Sequence, residues 1–286
     1  MYRFQDRNDE ALGVYAEALG LFRQVGDRLG EANTLKAQGD VYGFLKRNDE
    51  ALGVYAEALG LFRQVGDRLG EANTLKAQGD VYRFQDRNDE ALGVYAEALG
   101  LFRQVGSRLG EANTLKAQGD VYGFLKRNDE ALGVYAEALG LFRQVGSRLG
   151  EANTLQAQGD VYGFLKRNDE ALGVYAEALG LFRQVGSRLG EANTLKAQGQ
   201  LALAAGAAEQ AFALLARARA LYLAVGDRVG PANLGITLAA YAAERSDLTA
   251  AIDYLQPAAD FCREIGHPLY ATLQARIEGW RAQLAP

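Results

Sequence analysis

The sequence predicts an all-α fold: a right-handed superhelical solenoid of antiparallel helix pairs. The first observation is a period of 40 residues, since residues 41–80, 81–120, 121–160 and 161–200 are nearly identical and residues 1–40 follow the same wording. The second is that each period holds two segments with apolar residues at helical spacing, joined by short turns. Such self-similarity is typical of stacked supersecondary units, each buried against its neighbours.

The first helix of each repeat, called helix A, follows a position that holds only Asp or Ser. These residues are Asp27, Asp67, Ser107, Ser147, Ser187 and Asp227. Both side chains accept hydrogen bonds from the free N–H groups of a first helical turn. In the second repeat we therefore predict helix A from about Arg68 to Gln85.

The second helix, called helix B, follows the short turn "RND". We predict Asn88 or Asp89 as its N-cap and a helix from about Asp89 to Val105. Gly106 comes next and suits the left-handed position that ends many helices. Because both connections are short, the two helices are expected to pack antiparallel.

The two helices carry apolar faces that alternate small and large residues. At about 100° per residue, one face of helix A holds Leu35, Gly39 and Tyr42, and one face of helix B holds Ala51, Tyr55, Ala58 and Phe62. Close approach at the small residues would then alternate with filling by the large ones.

These residues resemble the tetratricopeptide repeat, whose pattern has a large residue, then Leu-Gly and Tyr on helix A, followed by Ala and an aromatic residue on helix B. The resemblance covers essentially the whole chain. The period is 40 residues where the family usually has about 34. The wording "GDRLGEA" is similar to the longer repeats of spindle-orientation scaffolds and of bacterial signal-transducing ATPases of the STAND type.

A second departure from the family pattern is Gln38, which stands where the pattern has Leu. It recurs as Gln78, Gln118, Gln158 and Gln198. We expect these side chains to be partly buried and hydrogen-bonded to one another along the repeats, without contact to a ligand.

The resemblance implies that the A helices line a concave face that binds a peptide or a partner segment. The helical wheel directs a set of polar and aromatic side chains of helix A to this face. The predicted groove residues are Asn33, Lys36, Asp40, Asn73, Lys76, Asp80, Arg83, Phe84, Asn113, Lys116, Asp120, Phe124, Asn153, Gln156, Asp160, Phe164, Asn193 and Lys196. An amide offers a donor and an acceptor to an extended backbone, and Lys can meet a carboxylate.

Each part of this groove has a second interpretation. The polar residues could be solvated and paired within one helix, as Lys36 with Asp40. The phenylalanine that recurs from Phe44 to Phe164 could anchor a ligand or be buried against the neighbouring repeat. Arg83 replaces the glycine found at 43, 123 and 163, which makes one wall of the groove more basic.

Helix B raises a question on its other side, where Gly53, Ala56 and Gly60 lie away from the face of Ala51 and Tyr55. The favoured interpretation is close approach of neighbouring B helices within the chain. The alternative is a small-residue seam on which a second chain packs.

The domain organisation predicted is one continuous solenoid. Residues 1–200 are near-identical repeats, the first truncated within its helix A because "MYRFQDRNDE" matches residues 81–90 with Met1 in place of Val81. Residues 201–286 hold divergent repeats and a C-terminal capping helix. There Pro257 is expected to kink the last helix B, and Trp280 to pack within the cap.

Composition argues against several function classes. The net charge is -5 and the pI about 5.2, which disfavours nucleic acid as a partner. No apolar run reaches the length of a membrane span, and Cys262 and His267 are the only residues of their kinds. We therefore expect a cytoplasmic protein that is not an enzyme, with no catalytic residues, metal or cofactor.

Two function hypotheses follow. The first is a scaffold that binds a protein or peptide along the concave face, as part of a bacterial signalling protein. The second is a structural array, natural or designed, that self-associates through the open ends of the solenoid or through the Gly/Ala seam. Neither involves nucleic acid or a membrane.

Overall fold

The structure is a computed structural model that describes residues 2–285, with side chains described from Arg7 onward. Over this range the chain is all-α, as predicted, with fourteen helices and no strand. The helices are α1 Tyr2–Val25, α2 Arg28–Phe44, α3 Asn48–Val65, α4 Arg68–Phe84, α5 Asn88–Gln104, α6 Arg108–Phe124, α7 Asn128–Gln144, α8 Arg148–Phe164, α9 Asn168–Gln184, α10 Arg188–Ala204, α11 Ala208–Ala224, α12 Val229–Glu244, α13 Leu248–Glu264 and α14 Leu269–Leu284. Even-numbered helices are A helices and odd-numbered ones are B helices.

The chain divides into two compact units, residues 1–154 and 155–286, so that the division falls inside α8. In the first unit each helix from α1 to α6 packs on the next one in the chain. The A helices α2, α4 and α6 also contact one another in order, whereas the described residues show no such contact between α3 and α5. The A helices therefore form the inner layer of this unit and the B helices the outer one.

The A helices are capped largely as the sequence predicts. The backbone N–H of Gly70 donates to the Asp67 carboxylate at 2.9 Å, and Gly190 donates to Ser187 at 3.3 Å. Ser107 precedes α6 without such a bond. The B helices differ from the prediction, because the residue before α5 is Arg87 and it forms no side-chain cap bond.

Aromatic rings of the B helices approach the backbone of the A helices closely at glycine positions. A Cβ placed on Gly79 would lie 2.4 Å from the Tyr95 ring, and one on Gly70 would lie 2.4 Å from the Phe62 ring. Tyr95 and Phe62 are fully buried in the first unit. The alternation of small and large residues thus produces the predicted interdigitation.

The glycines on the outer side of the B helices behave differently. None of the described residues comes within 4 Å of a Cβ placed on Gly53 or Gly60, and both positions are exposed. The favoured expectation, close approach of neighbouring B helices at these residues, is therefore wrong. In the first unit, neighbouring A helices are therefore in contact, whereas the described B helices α3 and α5 are not.

The same nine residues adopt two structures in this chain. Residues 82–90 end α4, make a turn in which Asp86 has a φ of 58°, and begin α5. Residues 2–10 carry the identical string "YRFQDRNDE" and form the start of the continuous helix α1.

The second unit contains the divergent repeats. Helix α13 continues through Pro257. Trp280 and Ile277 of α14 pack with Leu255 of α13 in a buried cluster, as expected for a closing helix. The proposed boundary between near-identical and divergent repeats at residue 200 stays a prediction.

Candidate functional site

A cavity of about 330 Å³ opens on the A helices of the first unit. It brings together eight of the predicted groove residues from α4, α6 and α8. They are Lys76, Asp80, Arg83, Phe84, Asn113, Lys116, Asp120 and Asn153. Eight of the eighteen predicted groove residues therefore share one surface, which we call the central cavity.

The aspartates of the central cavity are held from two sides. Lys76 Nζ donates to Asp80 Oδ2 at 2.6 Å, and Tyr95 OH donates to Asp80 Oδ1 at 2.8 Å. Burial, and next the charge of Asp80, raise the pKa of Tyr95 far above its ordinary value, so its hydroxyl stays protonated and donates. Both carboxylate oxygens are thus engaged, and Asp80 ties helix A to helix B.

The next repeat has the same arrangement. Lys116 Nζ donates to Asp120 at 2.8 Å and Tyr135 OH donates to it at 3.0 Å. The sequence predicted these aspartates as groove residues but gave no sign of their bond to tyrosine. Each aspartate therefore positions a lysine and does not itself stay free for a ligand. Each lysine keeps further N–H donors for another group.

The recurring phenylalanine is exposed at the four positions from 44 to 164 whose side chains the structure describes. The exposed fractions are 71% for Phe44, 72% for Phe84, 66% for Phe124 and 59% for Phe164. The interpretation that this phenylalanine is buried against the neighbouring repeat is therefore wrong. In the first unit, Phe44 and Phe84 line a second cavity of about 400 Å³ together with Gly43, Lys46 and Asn48.

Arg83 lies between these aromatic and polar surfaces. Its guanidinium carbon is 4.8 Å from the centre of the Phe84 ring, a distance typical of a cation–π contact. Its Nε is buried without a hydrogen-bond partner. No ion pair of Arg83 is present in the part of the chain that the structure describes.

Other predicted residues lie elsewhere. Asn33 and Asn73 are exposed on α2 and α4 outside the central cavity, and Asp40 lines a separate cavity with Phe44 and Tyr15. Lys36 donates to Asp40 at 2.7 Å, which is the pairing within one helix that the sequence allowed.

In the second unit several predicted residues are engaged within the chain. Gln156 accepts a hydrogen bond from Thr194 at 3.3 Å, Asp160 from Tyr175 at 2.6 Å, and Asn193 from Tyr222 at 2.5 Å. Lys196 is half-buried. In this unit these residues serve the packing of neighbouring helices.

Sequence reasoning missed a buried carboxylate beside the A-helix N-terminus. Glu71 is 4% exposed and accepts from Arg63 of the preceding helix B at 2.6 Å and from Arg68 at 2.9 Å. Burial alone would raise the pKa of Glu71, but the hydrogen bonds from the two arginines outweigh it and hold the pKa below its ordinary value. The signal was the recurring "GDRLGEA", in which an acidic residue follows an arginine at helical spacing.

The glutamines at the family's Leu position are only partly as expected. Gln38 and Gln118 are buried and the others are half-buried. The expected hydrogen bond between glutamines of successive repeats is wrong for Gln78. Its amide donates instead to the Tyr82 hydroxyl of its own helix, at 3.2 Å.

The residues considered for chemistry have structural roles. His267 accepts from the Leu269 N–H at 3.2 Å at the start of α14, and Cys262 is buried. Among the described residues there is no cluster of three metal-ligating side chains. Nor is any helix in the range described both long and apolar enough to cross a membrane.

A family model described as tetratricopeptide repeat matches residues 1–64, 45–104, 70–144, 110–184 and 150–224. No curated protein sequence matches this chain. Solved structures show the same fold at low identity. RapI in its apo form has a TM-score of 0.71 at 17% identity, covering 93% of this chain and 96% of that one.

A Rap protein complexed with Competence and Sporulation Factor has a TM-score of 0.64 at 15% identity, over 96% of this chain and 85% of that one. The STAND protein PH0952 from Pyrococcus horikoshii, with a tetratricopeptide repeat sensor, has a TM-score of 0.66 at 13% identity. The match covers 93% of this chain but 44% of the STAND protein, so this chain corresponds to a part of that length.

Proposed function

The chain belongs to the tetratricopeptide repeat family, a fold that serves as a protein-interaction scaffold, and we propose that the A helices of its first unit bind an extended peptide or partner segment. The observation that carries this proposal is the central cavity, where polar and aromatic side chains of three A helices converge. The likeness to a Rap protein whose structure includes Competence and Sporulation Factor supports a partner of this kind.

The chemistry of the cavity suits an extended backbone. The exposed amide of Asn113 can donate to and accept from a peptide group. Lys76 and Lys116 keep free donors after pairing with their aspartates. The exposed ring of Phe84 in this cavity, and that of Phe44 in the neighbouring second cavity, offer apolar area for a ligand side chain. Aromatic residues often dominate binding energy.

The test is selection of a random peptide library on the purified chain, followed by fluorescence anisotropy with a selected peptide. Replacement of Lys76, Lys116 and Phe84 by Ala together should weaken binding at least tenfold, since each hot-spot contact is worth roughly 1–2 kcal/mol. The matched control is Glu97→Ala on the exposed side of α5, which should bind as the unchanged chain does. Unaltered affinity in the triple variant would refute the proposal.

A second function, self-association, is favoured by one observation. The outer glycines of the B helices, such as Gly53 and Gly60, have nothing within 4 Å of a Cβ placed on them, so their small size has no explanation within the described chain. Sedimentation at increasing concentration tests this function. A growing mass that Gly53→Gln abolishes supports a seam, and a constant monomer mass excludes it.

A further inference from the structure

A groove made of identical repeats has a problem of register. A peptide that contacts Asn113 and Lys116 would find the same groups at Asn73 and Lys76, one repeat earlier. Because the contacts are equivalent, binding one repeat out of place would have nearly the same free energy. A single bound position requires a residue that differs between repeats.

Arg83 is that residue in the central cavity. Eleven residues line this cavity, and Arg83 alone differs from both counterparts one repeat before and after, Gly43 and Gly123. Arg3 holds the same repeat position two repeats earlier, outside the residues whose side chains are described.

Arg83 is also the cation of the cavity that lacks a carboxylate. Lys76 is paired with Asp80 and Lys116 with Asp120. Within the described residues Arg83 has no ion pair, and its buried Nε has no acceptor. Because no carboxylate of the described residues balances the charge of Arg83, a carboxylate brought by a ligand would gain free energy there.

The neighbouring ring fixes the guanidinium for this role. Its carbon lies 4.8 Å from the Phe84 ring centre, and such stacking restricts the rotamers of a long side chain before a ligand arrives. A planar guanidinium held in one orientation favours a carboxylate, which can accept two parallel hydrogen bonds.

We propose that Arg83 fixes the register of a bound peptide by pairing with the side-chain carboxylate of an Asp or Glu in that peptide. This inference rests on the proposed peptide groove. A side chain is the expected source because groove residues lie on both sides of Arg83, with Phe44 in the preceding repeat and Asn153 in a later one, so that a ligand passes Arg83 and does not end there.

The first experiment uses a peptide selected on the unchanged chain and synthesised with an amidated C-terminus. Its acidic residues are replaced one at a time by the matching amide, and each peptide is titrated against the unchanged chain and against Arg83→Gly. Gly is the chain's own residue at positions 43, 123 and 163, so this variant is expected to fold. One acid-to-amide change and Arg83→Gly should each weaken binding roughly tenfold, and together no more than either alone.

Register is read by energy transfer from a donor on the peptide to an acceptor on a cysteine introduced by Gly53→Cys, in a chain carrying Cys262→Ser. The matched variant combines Arg83→Gly with Gly43→Arg, a position where a Cβ meets only Val81 at 3.6 Å. Affinity should be retained while the transfer efficiency changes, because the peptide moves by one repeat. An unchanged efficiency overturns the proposal.

The other outcomes are separable. Selected peptides without a needed acidic residue, or binding unaffected by Arg83→Gly but lost in the Lys76, Lys116 and Phe84 triple variant, overturn the register role and leave the groove standing. Binding that the triple variant does not weaken overturns the groove itself and the inference with it. A requirement for a free C-terminal carboxylate in place of the side chain also overturns the proposal.

Discussion

The opposite environments of two glycines in one repeat predict opposite effects of the same substitution. Gly79 of α4 faces the Tyr95 ring, and a Cβ there would lie 2.4 Å from its Cε1 atom. Gly93 of α5 is exposed, and nothing lies within 4 Å of a Cβ placed on it. Both positions are helical, so both share the stabilisation that follows because Ala loses less backbone entropy than Gly on folding.

The magnitudes follow from that difference. Ala in place of Gly93 should stabilise the chain by about 0.5–1 kcal/mol, the helix-propensity gain alone. At Gly79 the same gain is opposed by overpacking of about 1–3 kcal/mol. The ring cannot swing away freely, because Tyr95 is fully buried and its hydroxyl is held by Asp80 at 2.8 Å. Weakening of that bond adds about 1 kcal/mol, for a net loss of roughly 1–3 kcal/mol.

The assay is urea unfolding followed by circular dichroism at 222 nm, the usual helix signal, with the slopes of the transitions compared before the midpoints. We expect the midpoint of Gly93→Ala to rise and that of Gly79→Ala to fall. Midpoints that shift in the same direction would refute the packing described for helix A on helix B.

Three further predictions concern stability and binding. Asp67→Ala should destabilise the chain by about 1 kcal/mol, because the Asp67 side chain caps α4. Ser107→Ala should have a smaller effect, since the Ser107 side chain forms no cap hydrogen bond. Thermal unfolding of the two variants compares these effects. The pKa of Glu71 is lowered in the folded chain, so its contribution to stability is complete above the pKa of the unfolded chain and is lost as the pH falls through the lower folded value. An acid titration of Glu71→Gln should therefore show a shallower fall in stability. Phe84→Ala should leave the unfolding midpoint within the error of measurement, because the ring is 72% exposed, while peptide affinity falls in the same preparation.

The repeat wording was enough to predict the helix pairs and their packing. Gly79 and Tyr95 follow from the alternation of small and large residues at helical spacing, because that pattern is local and recurs in phase. The same reasoning cannot predict the structure of "YRFQDRNDE", which is a turn at 82–90 and a helix at 2–10. The same local sequence is therefore compatible with both a turn and a helix, and the string alone does not decide between them.

The groove was predicted as a set of positions but not as a set of bonds. The helical wheel placed Lys76 and Phe84 on one side of α4, with Arg83 nearby, and the structure brings all three to one cavity. It could not show that Asp80 is held by Tyr95, since that bond joins two helices across a turn. The exposure of Phe84 likewise depends on how far the neighbouring repeat reaches, which no single-helix argument gives.

The most direct measurement of peptide binding on the A-helix face is protection of a single thiol. Cysteines are introduced one at a time by Asn113→Cys in the central cavity and by Ala96→Cys on exposed α5, in a chain carrying Cys262→Ser. The rate of maleimide modification is measured with and without a saturating selected peptide. Binding to the inner layer predicts a slower rate for N113C and an unchanged rate for A96C. Protection of A96C with N113C left fully reactive would contradict it.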